Sequence, residues 1–156
     1  MRTFTLLNRL YVVSLQTGEV VGEICDIGID SNGRVKGLIV KRKNRIFPKS
    51  YWLPLTNVQQ FGHDCIFIKS ENELLEGKHA ENLYTIKHDE SLYGKELLTT
   101  EGEHLGLLQD VYFLEDLGTI VAYEITEGLF TDLREGPQVI SSSNPPKIGK
   151  DAVIIT

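Results

Sequence analysis

The chain has 156 residues, of which 41% are hydrophobic, 24% charged and 8% aromatic, and its formal net charge is −6. This length allows one ordinary domain or two very small ones, and the composition excludes wholesale disorder. Two cysteines are too few for a disulfide scaffold, and no apolar run approaches the roughly 20 residues of a membrane-spanning helix. The N-terminal apolar stretch breaks at Asn8 and Arg9 and lacks the basic-then-apolar order of a signal peptide. The expectation is a cytoplasmic protein with no membrane span.

Along the chain the local pattern is β. Gly18-Glu19 and Asn32-Gly33 are hairpin-turn signals between apolar runs. Val35 to Val40, Tyr51 to Leu55 and Cys65 to Ile68 are short, rich in β-branched and aromatic residues, and bounded by Gly, Pro or Asn. A polar stretch over 71–90 follows, with Glu71, Glu73, Glu76, Glu81, Asp89 and Glu90. Leu74, Leu75 and Leu83 allow it short helical turns, while Gly77 interrupts any long helix. Val111 to Leu114, Ile120 to Ile125 and Ala152 to Ile155 then predict a second set of strands.

The second set repeats the first. Gly18, Gly22, Ile24, Asp26 and Ile27 recur as Gly102, Gly106, Leu108, Asp110 and Val111, 84 residues later. Gly33, Val35, Leu38 and Val40 match Gly118, Ile120, Tyr123 and Ile125 at an offset of 85. Gly62, Asp64, Ile66 and Ile68 match Gly149, Asp151, Val153 and Ile155 at 87. The drift falls in turns, where insertions are tolerated. The division is therefore 1–70, a connector over 71–90, and 91–156. A copy of this size buries only about 60% of its unfolded surface and is marginal alone, so the copies should pack on each other or on a second chain. Many short strands at close spacing suggest a small barrel or sandwich, and closure into a barrel would remove exposed edges.

The motif G-x-x-x-G-x-[IL]-x-D-[IV], followed by a turn and an apolar strand, resembles the PRC-barrel family. Leu53-Pro54-Leu55 and Val58 resemble the family's apolar-Pro strand, and Gly62, Asp64, Ile66 and Ile68 its closing strand. The stretch from Thr126 to Leu133 and from Gly136 to Ile140 is similar to a loop of bacterial stand-alone members. Copy two departs at Ser141, where copy one has Pro54, and at Pro145-Pro146. The family also holds the cytoplasmic domain of the reaction centre H subunit and the C-terminal domain of the ribosome maturation factor. The resemblance implies an all-β chain of two tandem PRC-type barrels joined by a short, partly helical connector. It implies docking and assembly rather than an activity.

No catalytic constellation emerges. Asp26 and Asp110 could act as general bases if half-buried. The phase of burial slips at Asp26, however, since Ile27 and Ile29 follow Ile24; this indicates a bulge whose freed N–H groups an Asp can bind. His63, Cys65 and Cys25 fall short of the four ligands zinc requires, and their copy-two counterparts are Lys150, Ala152 and Gln109. The expectation is no metal and no cofactor. His79, His88 and His104 are scattered and read as solvated. Ser141 to Ser143 lack a nucleophile elbow, and Gly18 to Gly22 lack the Lys-Ser/Thr of a phosphate loop.

Charge is the most informative feature. Residues 1–70 hold ten Lys/Arg and five Asp/Glu, residues 71–90 two and six, and residues 91–156 four and eleven. The basic excess centres on Lys41, Arg42, Lys43, Arg45 and Lys49, interleaved with Phe47, Tyr51 and Trp52. The matching stretch of copy two carries Glu124, Glu127, Asp132 and Glu135. Three readings of Lys41–Trp52 compete: a solvated hairpin, a protein-docking surface, or an RNA contact, the last opposed by the net negative charge. The expected function is a non-enzymatic protein-binding or assembly module, with self-association between basic and acidic copies as one form of it. An RNA- or ribosome-associated factor and a small-ligand-binding barrel are the alternatives.

Overall fold

The computed structural model describes residues 1–42, 46, 49–77, 83–128 and 133–156. Strand β1 (Arg2–Thr3) and the single helical turn α1 (Phe4–Leu7) lead into β2 (Tyr11–Ser14), β3 (Val20–Ile29), β4 (Val35–Arg42), β5 (Ser50–Pro54), β6 (Val58–Phe61) and β7 (Cys65–Ile68). The second half contributes β8 (Glu96–Thr99), β9 (His104–Phe113), β10 (Ile120–Thr126), β11 (Gln138–Ser141), β12 (Lys147–Ile148) and β13 (Ala152–Ile155).

The two sheets have the same wiring. One runs β5-β4-β3-β2-β7-β6 and the other β11-β10-β9-β8-β13-β12. In each, the first strand pairs parallel with the last, β2 with β7 and β8 with β13, while the intervening hairpins are antiparallel. The repeated glycines explain part of this geometry. A Cβ on Gly22 would lie 2.7 Å from the carbonyl oxygen of Lys41, and one on Gly106 2.7 Å from that of Thr126. Both second glycines of the motif therefore let two backbones approach where a side chain would collide. Gly18 and Gly102 both adopt positive φ, 70° and 85°, in the preceding turn.

Each long strand is bulged at the repeated aspartate. The β3–β4 register shifts between Ile24 and Asp26, and the β9–β10 register shifts where Asp110 precedes Leu108 in the ladder. The extra residues are Cys25 and Gln109. The slip of burial phase is thus a real bulge, and it turns both carboxylates inward: Asp26 is 0% exposed and Asp110 1%.

The copies share one contiguous apolar core, from Phe4 and Ile24 to Val153 and Ile155. Two marginal units therefore bury what neither could bury alone. They also meet at equivalent turns. Arg34 pairs with Thr119, its own counterpart at an offset of 85, and Val35 N–H donates to the Gly118 carbonyl at 2.7 Å. A residue meeting its own equivalent marks a pseudo-twofold axis.

Two expectations are narrowed. Among the described residues the end strands of each sheet, β5 with β6 and β11 with β12, do not pair, so neither barrel is closed by a ladder. Among its described residues the connector holds one short helical turn, Glu71–Glu73. Beyond it, the chain runs as an extended strap: Trp52 and Leu75 exchange both backbone hydrogen bonds, at 2.9 and 2.8 Å.

Candidate functional site

The repeated aspartates anchor a reciprocal exchange between the copies. The leader of copy one crosses to copy two: Arg2 and Thr3 pair with Phe113 and Tyr112 of β9. There Asp110 Oδ1 accepts from Phe4 N–H at 3.0 Å, and Oδ2 accepts from Thr5 N–H at 2.8 Å and Thr5 Oγ1 at 2.6 Å. In return the end of the connector crosses to copy one, where Tyr84 pairs with Ile29 of β3. Asp26 Oδ1 accepts from Ile86 N–H at 2.8 Å and Oδ2 from Lys87 N–H at 3.0 Å. Each carboxylate also takes the N–H of the following residue, Ile27 or Val111.

The symmetry extends to detail. Thr3 Oγ1 accepts from Leu6 N–H, and Thr85 Oγ1 from His88 N–H. Arg2 donates to the Phe61 carbonyl, and Tyr84 Oη to that of its counterpart Ile148. A buried carboxyl group accepting several hydrogen bonds has its burial offset by them, and here it binds backbone. Both carboxylates are buried, and each is held by backbone N–H groups of both copies and by one side chain, Thr5 or His88.

His88 is exposed, as expected, but its ring is not free. Its Nδ1 meets Asp26 Oδ2, although the side chain is 57% exposed. His104 is exposed, and His79 lies outside the described residues. His63 is exposed, its Nδ1 3.0 Å from Asp64 Oδ1. Cys25 and Cys65 are free thiols, and burial, with Asp26 adding to it, pushes the Cys25 thiol up from 9.0 to about 11. Among the described residues no three His, Cys, Asp or Glu side chains cluster for a metal.

The basic segment is engaged by the connector. Arg42 pairs with Glu71 at 2.9 Å and stacks over the Tyr51 ring. Lys49 pairs with Glu76 at 3.3 Å and lies 5.9 Å from the Tyr51 ring centroid, and Tyr51 Oη donates to Glu76. Trp52 is only 9% exposed, its ring lying where Cβ atoms on Gly28 and Gly37 would stand. Lys41 is exposed on β4; Lys43, Arg45 and Phe47 lie outside the described residues. A cleft of about 250 Å³ opens beside this segment, lined among others by Cys25, Tyr51, Trp52 and His88.

Two copies with one wiring, a bulged Asp in each, and glycines at the same close approaches match a known pattern: the PRC-barrel domain signature covers residues 1–75 and again 85–156. The chain belongs to the PRC-barrel family. Its second match begins at Thr85, within the leader docked on copy one. The chain is similar to the uncharacterized protein YrrD of Bacillus subtilis (strain 168), at 29% identity over 145 residues, spanning 92% of this chain and 81% of that protein. The PRC-barrel is a non-catalytic structural domain to which protein interaction is generally attributed. Among the described residues no helix is long and apolar enough to cross a membrane.

Proposed function

We propose that this tandem PRC-barrel is a cytoplasmic, non-enzymatic assembly module that presents a basic barrel, 1–70, and an acidic one, 91–156, on one body joined through 71–90. The supporting observation is the exchange of leaders at Asp26 and Asp110, which holds two oppositely charged copies in one orientation. Fixed relative placement of two unlike surfaces is what a scaffold needs, since it lets two contacts be made at once. Free thiols at both cysteines fit a reducing compartment.

The contact surface we assign to copy one is the β4–β5 segment that carries Lys41, Arg42, Lys43, Arg45 and Lys49 in its sequence, with the largely buried Trp52 beside it. RNA association is less favoured, because Glu71 and Glu76 already sit on Arg42 and Lys49. Affinity capture with the tagged full chain, against the K41E/R42E/K43E variant, tests the reading. The expected result is a protein retained by the wild type and lost by the variant. Capture of bulk RNA with a log–log salt slope near −3, as about four phosphate contacts would give, would replace the protein reading. Equal retention by both chains would remove the hairpin from it.

A further inference from the structure

The two copies treat one edge differently. In copy one the outer edge of β5 is covered: Trp52 exchanges both backbone hydrogen bonds with Leu75, and Leu74 beside it is 7% exposed. The register makes Val139 of β11 the counterpart of Trp52, because Trp52 faces Ile39 and Val139 faces Glu124, 85 residues on. Val139 is 50% exposed, and among the described residues β11 pairs with β10 alone. The N–H and C=O of Val139 therefore point outward, as those of Trp52 do toward Leu75.

The charge around this edge is inverted as well. Arg42, which grips Glu71 of the strap, has Glu127 as its counterpart; Glu127 and Glu135 are both exposed at the Gln138 end of β11, where Arg134 is exposed as well. An acidic strap such as 71–76 suits the first edge and would be repelled by the second. An open strand edge with an apolar centre and acidic residues at its Gln138 end selects an extended segment with an apolar centre and a basic end.

We infer that β11 is a strand-acceptor edge for an extended segment of another protein, apolar at its centre and basic where it passes the Gln138 end of β11, seated as Leu75 seats on Trp52. This deepens the assembly reading and rests on it, by naming the surface and the chemistry of one partner. Backbone pairing supplies the affinity of such a contact, and Glu127 and Glu135 supply the choice.

The test titrates the full chain, observed through its backbone amide resonances, with a synthetic peptide of residues 70–77 carrying Glu71→Lys, Glu73→Lys and Glu76→Lys. The expected result is saturable shifts at Gln138–Ser141, with a preference of about tenfold over the unaltered acidic peptide, the worth of a few exposed charge pairs. Glu127→Lys should reduce that preference. Val139→Pro should abolish binding while leaving the far-ultraviolet spectrum unchanged, since only an outward N–H is lost at an edge strand. No shifts at β11, equal affinity for both peptides, or binding that survives Val139→Pro would overturn the inference. Dimerisation that Val139→Pro removes, without peptide binding, would also overturn it by assigning the edge to a second copy. Failure here with partner capture through Lys41–Lys43 intact would leave the assembly reading standing.

Discussion

Asp26 and Asp110 occupy the same bulge, face the same way and bind the same three kinds of backbone N–H, yet they differ in the last donor. At Asp110 it is the Thr5 hydroxyl; at Asp26 it is the His88 ring, one position further along the leader. Duplication has held the backbone contacts and released the side-chain one. The backbone donors are independent of residue type, so sequence drift in the leaders leaves them in place. What the contrast teaches is that the carboxylate, rather than the leader, carries the constraint.

The sharpest way to break the symmetry is therefore at the carboxylates. Asp110→Ala leaves the N–H groups of Phe4, Thr5 and Val111 without their acceptor in or near the core. Hydrogen bonds to a charged group contribute ~1.5–3 kcal/mol each and are not additive, so the expected loss is about 4 kcal/mol, a large share of a small protein's stability. Asp26→Ala should cost a similar amount. Trp52, the sole tryptophan, sits in copy one. Its fluorescence should nonetheless report the lower urea midpoint of Asp110→Ala, because the copies share a core. A Trp52 transition that ignores Asp110→Ala would mean that the copies unfold separately.

The repeat was legible because its constraints are local. Gly22 and Gly106 are dictated by a backbone contact, and the bulge at Asp26 shows in the broken alternation of Ile24, Ile27 and Ile29. The exchange of leaders was not legible. Arg2–Leu6 and Tyr84–His88 align at an offset of 82, outside the span where the glycine motif sets the frame. Only Thr3 and Thr85 are identical between them. That Thr followed by an apolar residue, Phe4 or Ile86, was the available signal. The acidic surroundings of 84–90 concealed it as connector. His88 was unreadable for the same reason, since its partner lies 62 residues away. The hairpin charges were visible as a cluster, but their pairing with Glu71 and Glu76 depends on the strap folding back along β5.

The bulge residues give a second, smaller contrast. Cys25 in copy one can titrate and its counterpart Gln109 cannot. The folded thiol keeps its proton to about pH 11, while the unfolded one releases it near 9.0. A group with a raised folded pKa contributes stability below its unfolded value and loses it as pH rises toward the folded one. Stability should thus decline between about pH 9 and 11. Tyr112 and Tyr123, both raised mainly by burial, act in the same direction. The Cys25 share is isolated by comparison: Cys25→Ala should show a shallower fall in urea midpoint from about pH 8.5 to 10.5 than the wild type. Parallel curves would relieve Cys25 of any part in it.

The smallest effect is expected where the strap is held by charge. Arg42 and Glu71 lie 2.9 Å apart, but the Glu71 side chain is 59% exposed. Such pairs contribute ~0–1 kcal/mol and weaken with salt. Glu71→Gln should therefore lower the thermal midpoint slightly at low salt and not measurably at high salt. The amide of Leu75 should stay protected from hydrogen exchange in this variant, because its bond to the Trp52 carbonyl and the burial of Leu74 are untouched. Loss of that protection would show that charge, rather than backbone pairing, keeps the strap on β5. The contrast with the open β11 edge would then reduce to Arg42 against Glu127.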